Sequence, residues 1–191
     1  MIDFMLDLET MGNGDNSPIA TIGLVAFDLQ ENDDKFIKEV LYVRVEMASQ
    51  PWAVYDAGTV YFWLEQTRQG QLELIGDPLS KPRIHIGTAL NEIKLFLMRH
   101  NYTVRKSRIF CYGATFDHVI LKNAYRNAGV INPINYGDCL CMRTIARLSS
   151  IPCPKQATYV NHKADDDCKR QIMWLKEILS NWKLGRGFDS I

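Results

Sequence analysis

Long hydrophobic runs are missing from this sequence. No stretch approaches the ~18 consecutive apolar residues of a membrane-crossing helix, which argues against a helical membrane protein. Residues 1–7 also lack the basic segment, apolar stretch and small-residue cleavage site of a secretory leader. An excess of one charge is missing too. Twenty-two Lys and Arg balance 22 Asp and Glu, so the chain cannot coat a polyanion by bulk charge, and any phosphate contact must be local. The five cysteines, Cys111, Cys139, Cys141, Cys153 and Cys168, form no Cys-x2-Cys pairs, and their number is odd. They read as reduced thiols, against a zinc ribbon or a disulfide framework. Internal repeats, low-complexity tracts and linkers are absent as well. A single domain over residues 1–191, soluble and cytoplasmic, is therefore expected.

What is present is pattern. Residues 2–8 are a short apolar run ending in acids, as in a buried strand. A Gly/Asn/Asp-rich turn over 12–18 leads into a second apolar run, 19–29, suited to be its hairpin partner. Residues 39–46 alternate well enough to predict a third strand, so the sheet is expected to begin antiparallel. Asp56 is placed to cap a short helix carrying Val60, Trp63 and Leu64, and Pro78 and Pro82 mark a loop. The spacing of Leu90, Ile93, Phe96 and Leu97 predicts a helix over 86–100. A strand is expected over 108–112 and a helix over 117–128, stopped by Gly129. Asp138 is expected to cap a helix running through 148. A last long helix over 164–182 would place Cys168, Ile172, Leu175 and Leu179 on one face. Strands first, then alternation of helix and strand, predict an α/β domain with a mixed sheet.

Three short stretches carry chemistry. In Asp7-Leu8-Glu9-Thr10, residues two apart on a strand point the same way, so two carboxylates converge. Such a pair repels itself unless a cation lies between, and hard divalent cations take oxygen ligands; a polar strand edge entering a turn is the plainer account. In Gly113-Ala114-Thr115-Phe116-Asp117, the acid follows a strand at the end where α/β sheets bind ligands, although an acid there can also simply cap a helix. In His162-Lys163-Ala164-Asp165-Asp166-Asp167, the acids suit the dipole of the helix they open, but capping does not need a histidine. Near neutral pH His is the natural base for removing a proton from water.

Together and in this order, these stretches resemble the DEDDh superfamily of 3′-to-5′ exonucleases, a ribonuclease-H-like group. The sister group carries Tyr four residues before the last acid. Here that position is Lys163, so the histidine subclass is the one resembled. Asp7 to Gly12, the aromatic stretch Tyr61 to Gln66 and residues 162–171 look most like the compact phage exonuclease A type and the small bacterial exoribonucleases. The resemblance implies a ribonuclease-H-like mixed sheet, its first three strands antiparallel and the later ones parallel, flanked by helices. It implies a metal-dependent 3′-5′ exonuclease that hydrolyses single-stranded or 3′-overhanging RNA or DNA and releases nucleoside 5′-monophosphates. Two Mg²⁺ or Mn²⁺ ions would be held, with Asp7 bridging them, Glu9 and Asp167 on one and Asp117 on the other, and His162 would act as general base. Thr10, Met11, Trp63 and Phe116 would touch the substrate, although core packing accounts for Trp63 equally well and for Phe116 better. The expected partner is a nucleic-acid 3′ end, with no membrane involved and a homodimer as the assembly to look for. The rival readings are a non-catalytic nucleic-acid-binding module and a ribonuclease-H-type endonuclease.

Overall fold

The computed structural model describes residues 1–31, 34–76, 79–154, 159–160 and 162–183. Among these residues five strands form one sheet: β1 (Asp3–Thr10), β2 (Ile19–Phe27), β3 (Ile37–Arg44), β4 (Ile109–Cys111) and β5 (Cys139–Cys141). Their order is β3-β2-β1-β4-β5. The β1–β2 and β2–β3 pairs are antiparallel, while β1–β4 and β4–β5 are parallel. The helices are α1 (Ala57–Glu65), α2 (Arg68–Ile75), α3 (Ile86–Arg99), α4 (Asp117–Asn127), α5 (Met142–Leu148) and α6 (Ala164–Lys183). Among the described residues, no helix is long and apolar enough to cross a membrane.

β1 and β2 are apolar on both faces because both faces are covered. Phe4, Leu6, Leu8, Ile22 and Leu24 pack with Ile86, Leu90 and Ile93 of α3 and with Ile120 and Leu121 of α4. Met5, Val25, Phe27 and Phe110 form a second core with Met142 of α5 and with Cys168, Ile172, Leu175 and Ile178 of α6. By strand alternation, Asp7 and Glu9 share the α6 face with Met5. This places the acids beneath the start of the last helix.

Two expectations are corrected. Residues 138–148 are not one helix opened by Asp138. Cys139, Leu140 and Cys141 pair in parallel with Ile109, Phe110 and Cys111, and α5 begins only at Met142. The Asp138 carboxylate is buried and accepts from Tyr102 Oη (2.6 Å) and from the Arg105 N–H (2.9 Å), so it ties the approach to β4 rather than capping a helix. After α1 comes a helix, α2, that the sequence pattern did not predict, and of the two prolines that mark the expected loop Pro78 lies outside the described residues. The third strand also starts two residues earlier than expected, at Ile37. Asp56 does cap α1, accepting from Thr59 N at 2.8 Å, and Gly129 (φ 66°) follows the end of α4.

Candidate active site

Three elements deliver the acids to one end of the sheet. Asp7 and Glu9 lie opposite Gly23 and Thr21 of β2. A Cβ on Gly23 would sit 2.4 Å from the Ala164 carbonyl carbon, so the missing side chain lets the start of α6 rest directly on the sheet. Since β4 runs parallel to β1, their carboxyl ends adjoin. Asp117, the first residue of α4, accepts from Leu8 N at 3.1 Å. Phe116 holds the cap position of α4 without a side-chain cap bond, and the Asp117 carboxylate accepts both from Leu8 of β1 and from its own backbone N–H. Asp167, in the first turn of α6, accepts from the His162 N–H, which fixes the four-residue spacing between histidine and acid. The ligand atoms of Glu9, His162 and Asp167 lie within 4.8 Å of one another, and among the described residues no other such group of His, Cys, Asp and Glu forms. Asp165 and Asp166 are engaged by Lys163 and Lys169 instead.

The electrostatics of the cluster are strained. Burial, then Asp117 and Asp167, hold the Asp7 carboxyl well above the usual range, against a hydrogen bond from Gln171 Nε2 at 2.9 Å and the charge of Arg170. Burial raises Glu9 similarly, and the charges acting on it most strongly are the carboxylates of Asp7, Asp167, Glu73 and Asp117. Burial pushes Asp117 up to about 7 and Asp167 up to about 6. Arg170 opposes the rise of Asp167, lying 2.6 Å from its carboxylate. Burial and Arg170 lower His162, which leaves its imidazole neutral at pH 7. A hard oxygen donor set that repels itself is what a divalent cation relieves, so these residues fit such an ion.

Beside the acids lies a cleft of about 260 Å³, lined by Glu9, Thr10, Phe62, Trp63, Phe116 and His162 among others. Trp63 is only 4% exposed, and its indole N–H donates to the Thr10 carbonyl at 2.9 Å; it forms a fixed wall, not an open platform. Its neighbour Phe62 is 41% exposed and meets the His162 ring edge-on at 5.1 Å. The Thr10 hydroxyl is turned away to the Gly12 carbonyl. Met11 does not line the cleft; its backbone fastens the turn to Pro18 and Asp56. Phe62 and Gln171 were missed in the sequence. The signal for Gln171 was available, since it lies one helical turn beyond Asp167.

A mixed sheet in this order, with acids at the carboxyl ends of adjoining strands and on a closing helix, defines a ribonuclease-H-like exonuclease domain. The chain belongs to the family of the 3′-5′ exoribonuclease Rv2179c-like domain, which it matches over residues 2–179, and it is a 3′-5′ exonuclease. An exodeoxyribonuclease of Enterobacteria phage T4 is 22% identical over 206 residues, covering 94% of this chain and 89% of the relative. Among solved structures, E. coli exonuclease I in complex with a dT13 oligonucleotide superposes with a TM-score of 0.65 at 16% identity, over 96% of this chain. This chain spans only 42% of that protein's length. The nuclease domain of 3′hExo, a DEDDh family member bound to rAMP, gives 0.59 at 10% identity, over 94% of this chain and 92% of that one. At these identities the solved structures speak for the fold.

Proposed function

We propose that this chain removes nucleotides one at a time from the 3′ end of single-stranded or 3′-overhanging RNA or DNA, releasing nucleoside 5′-monophosphates. Asp7, Glu9, Asp117 and Asp167 would hold two divalent cations, Mg²⁺ or Mn²⁺, and His162 would be the general base. The observation that carries this reading is that Glu9, His162 and Asp167 bring ligand atoms within 4.8 Å of one another, while half-buried Asp7 and buried Asp117 lie near enough to act on the same cluster. When bound, such cations supply positive charge at the scissile phosphate and at the leaving 3′ oxygen. The chain's own residues do the rest. His162 accepts the proton of the attacking water, with its ring packed edge-on against both Phe62 and Trp63. Arg170, close to Asp167, favours the ionised form of that carboxylate and adds to burial in disfavouring protonation of His162. Phe116 and the exposed face of Phe62 flank the terminal nucleotide, and Trp63 closes the back of the cleft.

A terminal block tests the direction and separates this reading from an endonuclease. A 5′-labelled strand carrying a 3′-phosphorothioate cap should resist digestion, while the uncapped strand is shortened stepwise by single nucleotides. Internal fragments from the capped strand would favour the endonuclease. Stacking of a base on an aromatic ring contributes roughly 1–3 kcal/mol. Phe62→Ala should therefore raise KM for a short oligomer by about 5- to 100-fold with a smaller change in kcat, and an unchanged KM would remove Phe62 from the substrate surface.

A further inference from the structure

Helix α2, hidden in the sequence, carries one carboxylate that points inward. Glu73 is 6% exposed, and donors from three elements converge on it: Thr21 Oγ1 of β2 at 2.8 Å, Tyr42 Oη of β3, and the backbone N–H of Ala164, the first residue of α6. The helix beneath it is clamped. Arg44 donates to the Glu73 and Leu74 carbonyls, and Arg83 also donates to Leu74. These are carbonyls at a helix C-terminus, where intrahelical partners run out and cations are favoured. Gly76, at φ 84°, lets the chain leave under Arg44, whose Nη1 would lie 2.5 Å from a Cβ there.

The segment that Glu73 reaches is the one that delivers His162 and Asp167. His162 has φ 61°, a left-handed conformation that costs a non-glycine residue roughly 1–2 kcal/mol and persists only where the surroundings hold it. Two of the bonds around it are internal to the segment: the His162 N–H to Asp167 and the Val160 N–H to Asp166. Both would travel with the segment if it shifted. Past Asp167, α6 is tied to the sheet by Cys168, which donates to the Met5 and Gly23 carbonyls, and by Gln171, which donates to Asp7. Ahead of Asp167, two ties to the sheet and α2 meet at one place, the Ala164 N–H on Glu73 and the Lys163 ammonium 5.5 Å from the centre of the Tyr42 ring. Tyr42 is itself a donor to Glu73.

We propose that Glu73 is a positioning residue for the reaction, capping α6 from another helix and so fixing His162 and Asp167 against Asp7 and Glu9. This rests on the exonuclease reading above. The test compares Glu73→Ala and Glu73→Gln for turnover of a short oligomer and, separately, for the ¹⁵N-histidine ring resonances of the cation-free protein. Glu73→Ala should lower kcat by about 10- to 100-fold, the usual scale for a group that orients a ligand to a metal. KM should stay within about twofold, and the His162 resonances should move while those of His118, on α4, stay. Glu73→Gln keeps one acceptor oxygen and should recover part of kcat. If Glu73→Ala does not fold, a moved His162 signal with an intermediate kcat in Glu73→Gln supports the proposal by itself. Wild-type kcat in a folded Glu73→Ala, lost turnover with His162 unmoved, or a Gln variant no better than Ala would each overturn it. Failure of the exonuclease reading would look different: the wild-type protein itself would not turn over, whatever the spectra showed.

Discussion

Asp7→Asn is expected to lower kcat by roughly four orders of magnitude while raising the melting temperature of the cation-free protein. The first effect follows from the place of Asp7 at the centre of the cluster, where both Asp117 and Asp167 act on it. Four decades correspond to about 5 kcal/mol of lost transition-state stabilisation, a reasonable share for a carboxylate that shapes the charge around a phosphate. The second effect follows from the same crowding. An uncharged amide ends the repulsion, and its oxygen can still accept from Gln171 Nε2. A gain of about 1–2 kcal/mol amounts to roughly 2–8 °C for a chain of this size. A group that opposes folding yet carries the reaction is the signature of a site kept for function. Single-turnover digestion of a labelled oligomer and calorimetry in EDTA measure the two effects. Turnover within tenfold of wild type would take Asp7 out of the reaction. A lower melting temperature would mean that its role is structural.

The acids were legible in the sequence because their placement depends on short-range geometry. The two-residue period of a strand puts Asp7 and Glu9 on one face, and His162 and Asp167 frame the start of one helix. The antiparallel opening of the sheet was legible for the same reason, as turn chemistry and apolar runs are local signals. What stayed hidden depends on distant partners. β5 has three residues, too few to show a period, and exists because Cys139, Leu140 and Cys141 find β4. α2 is short, contains Gly70 and is half polar, and its end is held by Arg44 of β3 and by Arg83. Of Phe62 and Trp63, Trp63 alone was expected against the substrate; its hydrogen bond to Thr10, 53 residues away, accompanies its burial, and the more exposed ring at the cleft is that of Phe62. Asp138 looked like a helix cap because the sequence did not show that Tyr102 and Arg105 already hold it.

Stability of the cation-free protein should fall as pH rises from 4 to 7, and divalent cations should reverse that fall at pH 8 but not at pH 5. Unfolded carboxyls titrate near 4. In the fold Asp117 titrates at about 7 and Asp167 at about 6, with Asp7 and Glu9 also held high. Between those limits the native state holds protons that the unfolded chain has released, so each step upward in pH favours unfolding. The loss is complete once pH has passed through the raised values. Every pH unit separating a carboxyl's folded and unfolded titrations carries about 1.4 kcal/mol, so the raised values of Asp117 and Asp167 alone give a fall large enough to measure. A cation that binds only the ionised cluster stabilises by about 2.7 kcal/mol at a hundred times its dissociation constant. Below pH 6 protons compete for the same oxygens, and the gain should shrink. Calorimetry at pH 5 and pH 8, in EDTA and in excess MgCl₂ or MnCl₂, resolves the four conditions, and digestion run alongside should stop in EDTA and resume with either cation. A melting temperature in EDTA that ignores pH would mean that the acids do not crowd one another, and equal gains from Mg²⁺ at both pH values would place cation binding away from them.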